Sequence, residues 1–489
     1  MSNSLIKRDY MSLCFAFFLC VLAVFGMNSI FNISVIGITL TMYRICIPCL
    51  FVLVLLVWAS KIKVLGLEKG SHQKRIFMLA AIVFAVWIVY SSVQLVIYGQ
   101  IDFKEGAKTL LSLILAAMTI FVMAGMSFFG VKTNDYISAM KIIYVAILAI
   151  AFMEVTSGFH LPSSKLCEFI DGTIPAREES ISILRYMSTS IFYNPNDYAA
   201  FVAIMLPLFF IGKSKREYVL NLVVIMLSIA ILRIDDAWIA MFSVILAFVV
   251  YFIAYKDGEE IIKEKVGQLI AILVSYQWGS MILGIFRKLL TNTLLSLGAL
   301  GGDSSTVEKV PKPEASLSEV INAQFGGNLS EVINAQSGGN GGSSGALRIN
   351  TYLNSLENMF TETLGLGYGP GNFNAYMDSL GDNIAVLNNP HGLWIEILVE
   401  FGVLIFILYV AFIVYLYCTL IRIYIKSKSS IVLTAILIDT AFVFATFAPS
   451  AFLGYTYQWI VIGISLIVVM QKDRILVEPN EKVTDNESI

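Results

Sequence analysis

The chain has 489 residues, of which 57% are hydrophobic and only 14% charged, and its mean hydropathy is +0.78. Soluble domains carry close to 25% charge, so this composition excludes a water-soluble globular protein and reads as a polytopic membrane protein. The net charge of −2 says little by itself, because in such chains the distribution of charge between loops matters more than the sum; no nucleic-acid partner is expected.

About twelve apolar stretches are long enough to span a hydrocarbon core of roughly 30 Å. They lie near 12–30, 40–60, 76–98, 107–127, 136–156, 197–212, 217–234, 236–255, 267–286, 400–421, 430–449 and 453–470. The expected fold is therefore all-α. Residues 1–286 hold spans one to nine with an outer loop near 157–196, residues 287–391 form a large extracytoplasmic loop, residues 392–471 carry the last three spans, and 472–489 form a tail. If Lys7 and Arg8 hold the N-terminus inside, the basic connections at Lys61 to Arg75, Lys132, Lys213 to Arg216, Lys256 to Lys265 and Arg422 to Lys428 all face the cytoplasm. This positive-inside pattern returns the tail from Lys472 to the cytoplasm as well, and places the protein in the cell (plasma or inner) membrane. Phe15 to Leu22 leads to no small-residue cleavage site, so the first span reads as retained rather than as a signal peptide.

Two outer connections are too long to be turns, and loops of that size carry function or disorder. They run from about Ser157 to Asn196 and from about Arg287 to His391. The second contains a tandem repeat, Leu317 to Asn328 followed by Leu329 to Asn340, and then Gly341 to Gly345. Two short copies are too few for a solenoid, and the Gly, Asn and Ser content reads as a flexible insert or short helical turns, without chemistry. Of the six cysteines, only Cys167 lies in an outer loop, which leaves no external disulfide framework. Cys46 and Cys49 have redox spacing but share an apolar helix with Pro48, where packing is the simpler role. Three scattered histidines argue against a structural zinc site.

One of those histidines, His391, opens Pro390-His391-Gly392-Leu393-Trp394-Ile395-Glu396, where a polar segment gives way to an apolar helix. A helix from His391 to Tyr424 would run about 50 Å, beyond one hydrocarbon core, and so must project outward or break. Counting about twenty residues back from Arg422 reaches Gly402, which leaves 391–401 as a half-helix at the outer interface. Glu396 and Glu400 then share one helical face as interface carboxylates, solvated or functional. Histidine titrates near neutral pH and suits a general base, and its alternative role is a helix cap.

The block at His391 is one of three. Arg185 precedes Asn194-Pro195-Asn196-Asp197, where Asn196 or Asp197 is a natural N-cap and Asn-Pro a turn signal. Arg348 precedes Gly365-x-Gly367-Tyr368-Gly369-Pro370-Gly371, a weak phosphate loop with no preceding strand and no following Lys-Ser/Thr. Pro390-His391 is followed by Gly402. In this order and on this side of the membrane, the blocks resemble the O-antigen ligase and polymerase superfamily, which includes Wzy-type and teichuronic acid polymerases. The resemblance covers roughly Arg185 to Tyr424. It implies a GT-C-like membrane fold and a glycosyltransferase that moves a glycan from a polyprenyl diphosphate carrier to an acceptor hydroxyl outside the membrane. His391 would deprotonate the hydroxyl. Arg348 and Arg185 would hold the diphosphate, because guanidinium forks match phosphate oxygens. Arg233, Asn194, Asn196, Asp197, Glu396, Glu400 and Tyr368 would line the substrate site. No metal and no cofactor are implied; the partners are a lipid-linked oligosaccharide, membrane lipid, and flippase and chain-length regulator proteins.

The sequence departs from the family at two places. Gly392 stands where relatives often carry Asn, and Asp235-Asp236 precede Ala237-Trp238 where relatives often carry a Ser-Arg pair, which leaves Arg233 as the nearest cation. The two acids read as favouring the start of the following helix through its dipole. A transporter of lipid-linked sugars is the rival expectation. Asp439, alone in the eleventh span, would suit it as a proton relay, although no inverted repeat or matched pair of broken helices accompanies it. A scaffold would leave the arginine loops unexplained. Polymerase and ligase share the His/Arg arrangement, and without a ligase-specific signal polymerase is preferred.

Overall fold

The computed structural model describes residues 2–26, 32–35, 38–61, 72–171, 181, 184–212, 214–255, 259–296, 344–379, 389–449 and 453–476. The tandem repeat at 317–340 and the end of the tail lie outside the described residues.

The described residues fold as helices, apart from one antiparallel hairpin. In order these are α1 (Ser2–Val24), α2 (Met42–Lys61), α3 (His72–Phe128), α4 (Thr133–Ser157), α5 (Lys165–Ile170), α6 (Pro195–Met205), α7 (Lys215–Ile234), α8 (Trp238–Ala254), α9 (Glu259–Ser296), α10 (Ser344–Thr363), α11 (Phe373–Ser379), α12 (Leu393–Ser427), α13 (Ser430–Ala445) and α14 (Gln458–Met470). The hairpin pairs β1 (Asn32–Val35) with β2 (Ile38–Thr41) and sets Asn32 opposite Thr41. It corrects the all-α expectation locally, since the polar/apolar alternation of these eight residues has the period of a strand.

Among the described residues, six helical segments are long and apolar enough to cross a membrane: His72–Tyr98, Ile101–Phe128, Thr133–Ser157, Lys215–Ile234, Ile261–Leu289 and Leu393–Ser427. Shorter apolar helices accompany them in α1, α2, α8, α13 and α14. The expected third and fourth spans are joined within α3 at Asp102, which leaves helical geometry with φ −150° and ψ 86°. The expected sixth span is α6 continued by a 3-10 turn, Leu206–Phe209, that has Pro207 in its first positions, where a missing N–H is tolerated.

Helix α14 packs on α3, α13 on α8, and α9 on α7. Aromatic rings fill the centre: Trp87 meets Phe401 at 5.3 Å and Tyr409 at 5.2 Å, and Phe84 meets Trp459 at 6.2 Å. Lipid tails are as apolar as these side chains, so close packing rather than expulsion of water holds such helices together; each ring pair adds about 0.5–1.5 kcal/mol.

Candidate functional site

Helix α12 breaks at Gly402, where φ is 81° and ψ 174°. A break strands backbone groups that must find partners elsewhere, and the glycine-rich loop between α10 and α11 supplies them. The Tyr368 N–H donates to the Val399 carbonyl and the Gly369 N–H to the Glu400 carbonyl, each at 2.9 Å, while the Val403 N–H donates to the Gly365 carbonyl at 2.9 Å. Gln94 on α3 adds its amide to the carbonyls of Leu366 and Glu400. The fit leaves no room for side chains. A Cβ on Gly402 would stand 2.5 Å from the Leu366 backbone, and one on Gly367 2.5 Å from the Glu400 carbonyl oxygen. The Gly-x-Gly-x-Gly pattern is thus the socket of a broken helix.

The half-helix Leu393 to Phe401 carries the two glutamates, and both are buried rather than solvated. This corrects the solvated placement. Glu400 accepts the Gly371 N–H at 2.9 Å and Glu396 the Leu453 N–H at 3.0 Å, so each fastens a different segment to the helix. Tyr368 is buried as well; its hydroxyl donates to the Ser355 carbonyl at 2.7 Å and its ring stacks on Tyr376 at 3.9 Å.

His391 precedes this half-helix with φ 47°, a left-handed conformation that is uncommon outside glycine, although Asn, Asp and His adopt it more readily than other residues. Its ring is not the helix cap. The N-cap is Gly392, and the first helical N–H, from Leu393, is met by the Thr446 carbonyl at 3.1 Å. The Tyr352 hydroxyl donates to the His391 carbonyl. Among the described residues the buried Nδ1 of His391 has no hydrogen-bond partner.

Arg348, on α10, comes to the same place. Its Nη1 donates to the Phe447 carbonyl at 3.0 Å and its Nη2 to the Ala448 carbonyl at 3.3 Å, while its Nε is buried without a partner among the described residues. Two of the five N–H groups of the guanidinium are therefore anchored, and three remain. Burial, and then the positive charge of Arg348, lower the His391 pKa to about 3, so the imidazole is neutral at neutral pH. Burial also lowers the Arg348 pKa, and the nearby Tyr352 opposes it; the guanidinium still carries its charge.

Arg185 has other contacts. Its guanidinium arm packs on Gly158, and its carbonyl faces His160 Nε2 at 2.9 Å. The contacts described for it are local, and none joins it to His391 or Arg348. The segment after it is clamped by acids. Glu154 accepts the N–H groups of Thr189 at 2.8 Å and Ser190 at 2.5 Å, and its other oxygen lies 3.3 Å from His160 Nδ1. Asp235 accepts the Ser188 N–H at 2.7 Å. Burial, reinforced by Glu154, raises the Asp235 pKa well above the usual range. That placement corrects the helix-dipole role for Asp235, which caps the end of α7; Asp236 stays at the start of α8 and pairs with Arg233 at 3.5 Å. Arg233 also lies over the rings of Trp238 at 5.8 Å and Tyr276 at 5.3 Å.

The N-cap of α6 is Asn194, whose side chain accepts the Asp197 N–H at 3.1 Å. Asn196 and Asp197 were the expected caps; Pro195 shifts the start, since proline favours the first helical position. Asn196 is exposed. Asp197 is buried beside the Tyr455 hydroxyl, and Tyr455 in turn feels the charge of Glu396.

Residues without an expected role complete the site. The connection between α13 and α14 receives Leu393 at Thr446, Arg348 at Phe447 and Ala448, Glu396 at Leu453 and Asp197 at Tyr455, and Phe192 meets Tyr457 at 5.9 Å. Its signal was its aromatic content beside Pro449. Arg287 on α9 stacks over Tyr186, 3.5 Å from the ring centroid. Among the described residues no three His, Cys, Asp or Glu side chains converge as metal ligands. Neither a known family model nor a curated protein sequence matches this chain.

Proposed function

We propose that the protein is a polysaccharide polymerase: it transfers a glycan from a polyprenyl diphosphate carrier to a hydroxyl of another lipid-linked repeat unit at the outer face of the cell membrane. The observation that supports this most is the meeting of Arg348 and His391 beside the start of α12, a neutral imidazole with an unpartnered Nδ1 next to a guanidinium with donors to spare. In this reading the acceptor oxygen attacks the anomeric carbon, its proton passes to His391, and the sugar–phosphate bond breaks with its electron pair leaving on the diphosphate. A diphosphate leaves readily, so the protein supplies a placed base and cations rather than further activation.

The proposal carries with it about twelve spans in a GT-C-like fold, both termini in the cytoplasm, and cooperation with a flippase and a chain-length regulator. Arg185 belongs to it as a cation at the other long loop that meets the diphosphate or glycan when substrate bridges the two loops.

Purified protein supplied with synthetic lipid-linked repeat units, without nucleotide sugar or added metal, should yield a ladder of products on a gel. Transfer only after a separate acceptor is added would identify an O-antigen-ligase-type reaction. Counterflow of labelled donor across sealed vesicles without elongation would replace transfer with transport.

A further inference from the structure

Helix α10 has three faces. Arg348, Thr351, Ser355 and Met359 turn toward the protein. Asn350, Asn354, Glu357 and Thr361 form a polar face. Between them, Ile349, Leu353 and Phe360 fall within one narrow arc at helical spacing and are 60%, 62% and 54% exposed. Beyond the helix end, Leu364 and Leu366 extend the stripe. Such a row of large side chains facing water loses about 25 cal/mol for each Å² left uncovered, and exposed apolar patches mark a partner.

Continuity identifies what covers it. The Leu366 carbonyl accepts from the Tyr90 hydroxyl at 2.8 Å and from the Gln94 amide at 2.7 Å, which fastens the end of the stripe to the first half of α3. On that membrane-crossing segment Val89, Val93, Val96 and Ile97 are exposed. On the other side Gly365 is bonded to Val403, and the neighbouring Leu404 and Ile407 of α12 are exposed too. The stripe therefore joins the lipid-facing surface of two spans. The polar face of α10 keeps it from crossing, so the arrangement is that of a helix lying in the membrane surface.

We propose that α10 is an interfacial helix whose Ile349, Leu353 and Phe360 sit in bilayer lipid, so that Arg348, on the adjoining face, is held at headgroup depth. A diphosphate whose isoprenoid tail stays in the bilayer then reaches Arg348 by lateral diffusion. The consequence for the carrier, and the choice of the outer leaflet, rest on the proposed function; the burial of the stripe in lipid does not.

The test uses the full chain in phosphatidylcholine proteoliposomes, with its six cysteines replaced by serine or alanine and its size distribution checked. Single cysteines, Leu353→Cys and Glu357→Cys, carry an environment-sensitive fluorophore, with Phe360→Cys in reserve if the first variant aggregates. The probe at 353 should be quenched by shallow nitroxide-labelled lipid several-fold more than the probe at 357, and iodide should show the reverse order. Equal quenching of both probes by iodide would overturn the proposal. So would a probe at 353 that neither quencher reaches: iodide access regained on deleting 304–343 would give the stripe to the chain's own loop, and energy transfer between copies would give it to a second molecule. These readings need no turnover, so a lipid-buried stripe in a protein without glycan transfer would sink the function and spare the placement. With transfer established, Leu353→Glu should raise the apparent KM for a long-chain donor about tenfold, roughly 1.4 kcal/mol, and leave that for a short-chain donor unchanged.

Discussion

Arg348 and His391 are brought together from opposite ends of the glycine-rich segment, and the charge of the first is one of the two causes that keep the second neutral. This relationship sets an expected pH profile. Because the folded pKa of His391 is about 3, lowered from 6.5 by burial and then by Arg348, its protonation takes no part in the activity between pH 8 and 5. The acid limb of kcat/KM, which reports the free protein, should fall below pH 5. Arg348→Gln removes the positive charge, so any residual activity should show that limb at higher pH. The same shift acts on stability. Between pH 6.5 and 3 the unfolded chain binds a proton that the folded chain refuses, so stability falls as pH drops through that window. A limb near 6.5 in the unaltered protein would count against the buried, neutral imidazole.

His391→Ala should abolish product while the protein stays monodisperse and keeps its helical circular dichroism. Removal of a placed general base lowers a rate about 10²–10⁴-fold, and full activity in this variant would end the base assignment. Arg348→Lys is the sharper probe. Lysine keeps the charge but loses the planar fork that reaches the Phe447 and Ala448 carbonyls together. Turnover should drop strongly, and normal donor binding with normal turnover would remove the diphosphate role.

The socket at Gly402 predicts a stability effect separate from chemistry. Gly402→Ala needs a positive φ of 81° and a Cβ 2.5 Å from the Leu366 backbone, and Gly367→Ala meets the Glu400 carbonyl at the same distance. Strain of this kind amounts to about 1–3 kcal/mol at each residue, and the backbone cannot retreat without breaking the bonds that join the loop to the half-helix. Both variants should lower the thermal midpoint in detergent. A Gly284→Ala control inside α9, where an added Cβ meets nothing within 4 Å, should not lower it and should raise it slightly, because alanine is the better helix former.

The joint also marks how far the sequence could be read. Helix length against bilayer thickness foretold that the helix after His391 had to break or project, and Gly402 was the countable place for it; the break lies there. The reason for the neighbouring glycines was not legible, because it consists of contacts between the loop and the half-helix that no spacing encodes. Burial of Glu396 and Glu400 was hidden for a similar cause: their partners are backbone N–H groups of Gly371 and Leu453, which have no signature in a sequence. Arg185 was paired with Arg348 by resemblance alone, and the contacts described for it are those with Gly158 and His160. The connection from Thr446 to Tyr457 was read as the ends of the last two spans, because it is apolar and aromatic and offers carbonyls and phenols rather than acids or bases.

The clamp on the Arg185 loop gives another expectation. Glu154 accepts the N–H groups of Thr189 and Ser190 and faces His160, all in a buried setting. A buried donor left without its acceptor costs about 1–3 kcal/mol, and Glu154→Gln replaces one acceptor oxygen with a donor. The variant should unfold at lower temperature. If the clamp serves Arg185, it should also raise the KM for the donor more than it lowers kcat, whereas a purely structural clamp would leave the KM unmoved in the folded fraction.

Asp439 separates transfer from transport. It is buried in α13, and both of its oxygens lie 2.8 Å from the Ser465 hydroxyl of α14, so it has a polar partner of its own inside the bundle. An intramembrane acid that relays protons must change its protonation during turnover, and an asparagine in its place stops the cycle. An acid that only joins two helices through a serine tolerates the exchange, because the amide offers the same hydroxyl an acceptor. Asp439→Asn should therefore leave elongation within about threefold of the unaltered protein, in keeping with the modest worth of single hydrogen bonds between membrane helices. Loss of proton-coupled counterflow in sealed vesicles, with no elongation to lose, would favour the transporter instead.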